Sequence, residues 1–85
     1  MKEVILTKEE YIYLINNLLK EKDIIIPENA TVNKGGCIYL YLSEKMADDI
    51  RELAEDEVEL HFDENYEPTK IGWILEHFID KFYVG

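Results

Sequence analysis

Basic residues are scarce in this chain. Lys and Arg number only nine among 85 residues, against nineteen Asp and Glu, for a formal net charge of −10 at pH 7. Nucleic acid and anionic membrane repel such a molecule, so neither is expected as a direct partner, whereas basic proteins are attracted at long range. Cysteine is almost missing as well. Cys37 stands alone, which excludes an internal disulfide and points to a reducing compartment. Pro and Gly are few, at two and four, and no linker, repeat or low-complexity tract interrupts the chain, which reads as one domain over residues 1–85. Long apolar runs are absent. The longest, Cys37 to Leu42, is far short of the roughly 20 residues of a membrane helix. The opening Met1-Lys2-Glu3-Val4 begins no signal peptide, so a cytoplasmic location is expected. With 47% hydrophobic and 12% aromatic residues, the composition is that of a globular protein rather than a disordered acidic one.

What is present is acid, and it is concentrated. Residues 44 to 67 hold eleven carboxylates and only two bases, Lys45 and Arg51, so this segment carries −9 of the total charge. A solvated helix face usually interleaves signs to gain i,i+4 pairs. Here Glu52, Glu55, Asp56 and Glu59 are like-charge neighbours, with Asp63 and Glu64 beyond them. Two readings stay open: a surface that steers a basic partner, and a face that keeps the protein soluble.

The pattern predicts an α+β domain, a short β-sheet packed with three helices. Val4-Ile5-Leu6 forms a short strand. Thr7 and Glu10 then supply a capping box, and Tyr11, Leu14, Ile15, Leu18 and Leu19 recur at helical spacing, predicting an amphipathic helix over 8–22. Ile24-Ile25-Ile26 could be a strand stopped by Pro27. Asn33-Lys34-Gly35-Gly36 is a turn. Cys37 to Leu42 is the clearest strand; neither of its faces is polar, which predicts cover on both sides. Ser43 caps a second helix carrying Ala47, Ile50, Leu53, Ala54 and Val58 inward. Its end is ambiguous, because Val58, Leu60 and Phe62 also alternate like a strand; helix to about residue 61 is favoured. Asp63 to Glu67 is a loop, and Pro68 with Thr69 opens a last helix with Ile71, Ile74, Leu75, Phe78, Ile79 and Phe82 on its core face.

Chemistry is hard to find. Asp63-Glu64-Asn65-Tyr66-Glu67 begins like a calcium loop, but Pro68 replaces the turn glycine and Ile74 the bidentate glutamate. His61 and His77 have no ligand-spaced companion for zinc. Cys37 sits in an apolar strand without a neighbouring cation, so it reads as core rather than nucleophile. No nucleophile–base constellation is present. The expectation is a protein that is not an enzyme, with no cofactor and no metal.

Two aromatics stand out. Tyr13 lies about 180° from the apolar stripe of the first helix, and Trp73 lies opposite the core stripe of the last, with His77 on the same face. Trp and Tyr are enriched at binding hot spots, yet a covering layer could equally bury them; both readings stay open. Tyr13, Glu52, Glu55, Asp56, Glu59, Asp63, Glu64, Trp73 and His77 are therefore the candidate partner-binding residues.

The stretch from Phe62 to Phe82 resembles the tails of small, acidic, uncharacterised bacterial proteins of immunity-protein type. The shared positions are Phe62, Asp63, Asn65, Tyr66, Thr69, Gly72, Leu75, Glu76, Ile79 and Asp80, about a quarter of the chain. Trp73 and His77 depart from the more polar residues of that pattern. The resemblance implies a non-enzymatic bacterial protein. Together with the charge, it leads to the expectation of an acidic inhibitor, an immunity protein or antitoxin that neutralises a basic bacterial toxin. The alternatives are a phage-type DNA mimic acting on a CRISPR or restriction enzyme, and a structural homodimer with Trp73 at its interface.

Overall fold

The computed structural model describes residues 1–20, 22–61 and 69–83; Asp63, Glu64, Pro68 and the loop expected over Asp63 to Glu67 lie outside them. The fold is α+β, a three-stranded antiparallel sheet with helices packed on it. Strands β1 (Lys2–Thr7), β2 (Thr31–Lys34) and β3 (Cys37–Leu42) are ordered β1-β3-β2. Val4 pairs with Leu40 and Leu6 with Ile38. Successive side chains alternate between faces, so this register puts Val4, Leu6, Ile38, Leu40 and Leu42 together in the core, where all are buried.

The second strand is not the isoleucine run. Ile24 to Ile26 form no strand, and Thr31–Lys34 pairs with β3 instead. The reason is the turn. Gly35 and Gly36 both have positive φ, 61° and 82°, which makes a two-residue hairpin whose twist suits the flanking strands. The residues just before Gly35 must therefore pair with those just after Gly36. The expected double cover of β3 is also corrected. Cys37, Tyr39 and Tyr41 are only half-buried, with Ile5 and Val32 exposed beside them. Tyr tolerates this position because its hydroxyl can stay wet while its ring packs.

Helix α1 (Lys8–Tyr13) runs into a single π turn over Leu14–Leu18, closed by the Leu19 N–H donating to the Leu14 carbonyl at 2.9 Å. The regular helix expected to residue 22 therefore ends early. The buried line is Glu10, Leu14, Leu18 and Leu19, while Ile15 is turned toward solvent. Helix α2 (Glu44–Val58) starts at Ser43, whose hydroxyl accepts the Met46 N–H at 3.1 Å. It continues as a 3-10 turn through His61, so the ambiguous stretch is helical as far as His61, and Phe62 lies outside the described residues. Helix α3 (Lys70–Lys81) is capped by Thr69. The Thr69 N–H and hydroxyl both donate to the His61 carbonyl at 2.8 Å, tying the start of α3 to the end of the α2 turn. Ala47, Ile50 and Ala54 from α2 meet Ile74, Leu75, Phe78 and Phe82 in the core. Phe78 and Phe82 stack edge-to-face at 5.7 Å. Among the described residues, no helix is long and apolar enough to cross a membrane.

Candidate functional site

The acidic helix comes first. At about 100° per residue, Ala47, Ile50 and Ala54 point α2 at the core. On the opposite side Glu44, Asp48, Glu55 and Glu59 form one row and Asp49, Glu52 and Asp56 a second. Together they fill an arc of about 140° along roughly 22 Å of helix. Glu52, Glu55, Asp56 and Glu59 are all exposed. The cations within this face are already engaged. Lys45 pairs with Asp49 at 3.2 Å, and Arg51 bridges Asp48 at 2.7 Å and Glu55. The hydrogen bond to Asp48 leads the interactions that hold the Arg51 guanidinium above its ordinary pKa. Among the described residues, Glu52, Asp56 and Glu59 have no cation partner. No apolar side chain interrupts the two rows.

A second region lies between the start of α1 and the outer side of α3. Here a groove of about 400 Å³ is lined by Thr7, Glu10, Lys70, Trp73, His77 and Lys81, among others. Its floor is Glu10, only 4% exposed. The local sequence places it there. Thr7 caps α1 by accepting the Glu10 N–H at 3.1 Å, and the Glu10 carboxylate reaches back to the Thr7 N–H at 2.9 Å. That reciprocal bond turns the carboxylate inward. It then meets Lys81 Nζ at 2.9 Å and His77 Nδ1 at 3.0 Å. Burial alone pushes the Glu10 pKa up, but the hydrogen bonds from Lys81, Thr7 and His77, with the Lys81 charge, outweigh it and hold the group below its ordinary value. An ionised carboxylate only accepts, so His77 Nδ1 carries the proton in this contact. At the rim, Lys70 pairs with Glu9 at 2.7 Å. The Trp73 indole is 54% exposed and forms part of the wall.

Tyr13 is elsewhere. Instead of standing free opposite the stripe, it is half-buried with its ring 6.3 Å from that of Phe78. Glu10 explains the change: counting this polar residue as part of the buried line rotates α1 so that Ile12, 56% exposed, is the residue facing solvent. Burial, then the nearby Glu57 charge, raise the Tyr13 hydroxyl pKa.

The candidate residues thus divide. Trp73 and His77 share the Glu10 groove, which no α2 residue lines; the four exposed acids occupy the outer face of α2; Tyr13 sits beside Glu57, Asn16 and Asn17. Sequence reasoning missed Glu10, Lys81 and Lys70. The signal for Glu10 was present in the capping box, but nothing local indicates that residues 67 and 71 positions away would close on it. Among the described residues, no group of three or more His, Cys, Asp or Glu is placed to hold a metal ion. No protein family, curated protein or solved structure matches this chain.

Proposed function

We propose that this protein is a non-enzymatic acidic binding protein that occupies a basic surface of another protein, in the manner of an immunity protein or antitoxin neutralising a basic bacterial toxin. The observation that carries this reading is the outer face of α2, seven carboxylates in two rows with only Lys45 and Arg51 set against them. A one-sign surface of this kind accelerates encounter with an oppositely charged partner and repels wrong ones. A second reading is favoured by the shape of the same face. An elongated double row without an apolar centre is the arrangement expected of a phage-type inhibitor that imitates DNA in the groove of a CRISPR or restriction enzyme.

The test is the triple variant Glu52→Gln, Asp56→Asn, Glu59→Gln against a partner recovered by pull-down, measured from low to physiological salt. The native chain should bind with an on-rate that falls as salt rises, and the variant should flatten that dependence. A salt-independent on-rate for the native chain overturns the reading. Competing duplex DNA separates the two versions, because it displaces the chain only where the contacted surface is a nucleic-acid groove.

A further inference from the structure

Charge along α2 sets the rate of encounter more than the lifetime of a complex, which depends on desolvated apolar contacts. The two acidic rows contain no apolar side chain, so the apolar part of any contact has to lie at their border. Trp73 does not adjoin them, since no α2 residue lines its groove. Ile5 and Val32 belong to the open face of the sheet.

Ile25 is placed differently. Along Asp23 to Pro27 the side chains alternate: Ile24 and Ile26 pack against the core, and Ile25 stands 78% exposed. None of these three isoleucines makes a backbone–backbone hydrogen bond among the described residues. On one side Ile25 borders a cleft of about 220 Å³ whose other walls are Ile15, Leu19, Ile24 and Ile26, aliphatic throughout. On its other side lies a cleft of about 350 Å³ shared with Asp23 and with Lys45, Met46 and Asp49 of α2. Asp49 belongs to the second acidic row. The acidic face and an aliphatic cleft therefore meet at Ile25.

We propose that the Ile25 cleft anchors the basic partner, receiving an aliphatic or aromatic side chain that is flanked by Lys or Arg. This rests on the reading of α2 as the steering face and assigns it an anchor. The anchoring side chain fills the space beside Ile15 and Leu19. Its cationic neighbours lie against Asp23 and the outer acids of α2 that have no cation partner among the described residues, since Asp49 already holds Lys45. The charge of the border decides the occupant: a neutral apolar segment leaves Asp23 and the α2 acids Glu52 and Asp56 without a partner among the described residues, and an acidic one is repelled by them.

Two synthetic peptides test this, one Lys- and Arg-rich with a central leucine and the other identical except for serine there. Binding to the full chain is followed by fluorescence anisotropy at low ionic strength. The leucine peptide should bind about tenfold tighter, the value of burying one aliphatic side chain. Ile25→Ser should abolish that preference without changing the affinity for the serine peptide. The Glu52→Gln, Asp56→Asn, Glu59→Gln variant should weaken both peptides alike. Because Ile25 is mostly exposed, its substitution leaves folding intact, and an unfolding curve checks this. Equal binding of the two peptides, with both weakened by the charge variant, overturns the anchor and leaves the α2 reading standing. Binding of neither peptide overturns that reading and the anchor with it. A leucine preference that survives Ile25→Ser and shifts Trp73 emission moves the contact to the Glu10 groove and overturns this assignment.

Discussion

On the outer side of α2 and the turn that follows it, Glu52, Asp56 and Glu59 face water and other acids; in the groove between α1 and α3 a single carboxylate is buried and met by three donors. The same chemical group has opposite consequences in the two places. Glu52, Asp56 and Glu59 repel their neighbours weakly through solvent, where exposed charges interact by tenths of a kcal/mol. Glu10 sits where solvent cannot screen it, so each of its hydrogen bonds matters more and losing one leaves a poorly satisfied group. The acidity of this chain is therefore carried by residues that contribute little to folding. The fold leans on an acid that the charge distribution hardly marks.

The largest effect is expected at Glu10. Glu10→Gln keeps the shape but removes the charge that Lys81 and His77 meet, and should cost about 2 kcal/mol in urea unfolding at pH 7. The loss stays near that figure because the Lys81 and His77 side chains, both partly exposed, can turn to solvent. The pH dependence has a definite sign. The folded pKa of Glu10 is depressed from its ordinary 4.5, so its contribution is complete above that pH and is lost as the pH falls through the depressed value. Stability of the native chain should drop below about pH 4.5 by more than that of Glu10→Gln. Parallel acid curves for the two proteins would contradict the clamp.

Much of this arrangement was legible in the sequence, and the rest was not for identifiable reasons. Local signals read well: Thr7 with Glu10, Ser43, Thr69 and the apolar line of α3 all depend on residues a turn or so apart, whereas the exposure of Trp73 stayed open because it depends on whether another layer covers α3. Failures came where a partner is distant. Ile24 to Ile26 have strand-forming side chains, but strand pairing is decided by the Gly35-Gly36 hairpin, which recruits the less apolar Thr31–Lys34. The orientation of α1 was misjudged because an apolar stripe omits a buried Glu. The partners of that Glu lie in α3, and a single sequence does not announce a pair 71 residues apart.

Thr7→Ala tests the groove from the other end. It removes the hydroxyl that accepts the Glu10 N–H and should cost about 1 kcal/mol, while Lys81 and His77 keep the carboxylate in place. A loss as large as that of Glu10→Gln would mean that the box, not the clamp from α3, fixes Glu10. Thermal unfolding of the two variants decides between them.

Trp73→Ala should change stability by no more than about 1 kcal/mol, because about half of the ring is already in water and truncation leaves no closed cavity. A loss of about 3 kcal/mol or more is the figure for a buried aromatic. It would make the groove part of the core and remove Trp73 from the candidate contact residues. Denaturant titration followed by far-UV circular dichroism measures this without relying on the indole itself.

The smallest effect should have the opposite sign. Neutralising Glu52, Asp56 and Glu59 removes like-charge contacts at i,i+3 and i,i+4 along the exposed side of α2, each costing about 0.2 to 0.5 kcal/mol at most. These side chains touch nothing in the core, and Arg51 keeps its pairs with Asp48 and Glu55. The triple variant should thus be more stable than the native chain by a few tenths of a kcal/mol at low ionic strength. Salt screens repulsion between exposed charges, so the difference should shrink as salt is added. Comparing unfolding midpoints at low and high salt makes the small difference measurable. A variant less stable than the native chain at every ionic strength would show that these carboxylates take part in the fold, and the contrast with Glu10 would fail. A gain at low salt together with slower partner association would separate folding from binding on this face. The acids would then lower the stability of the fold while speeding the encounter with a basic surface, which is the result expected of a steering face.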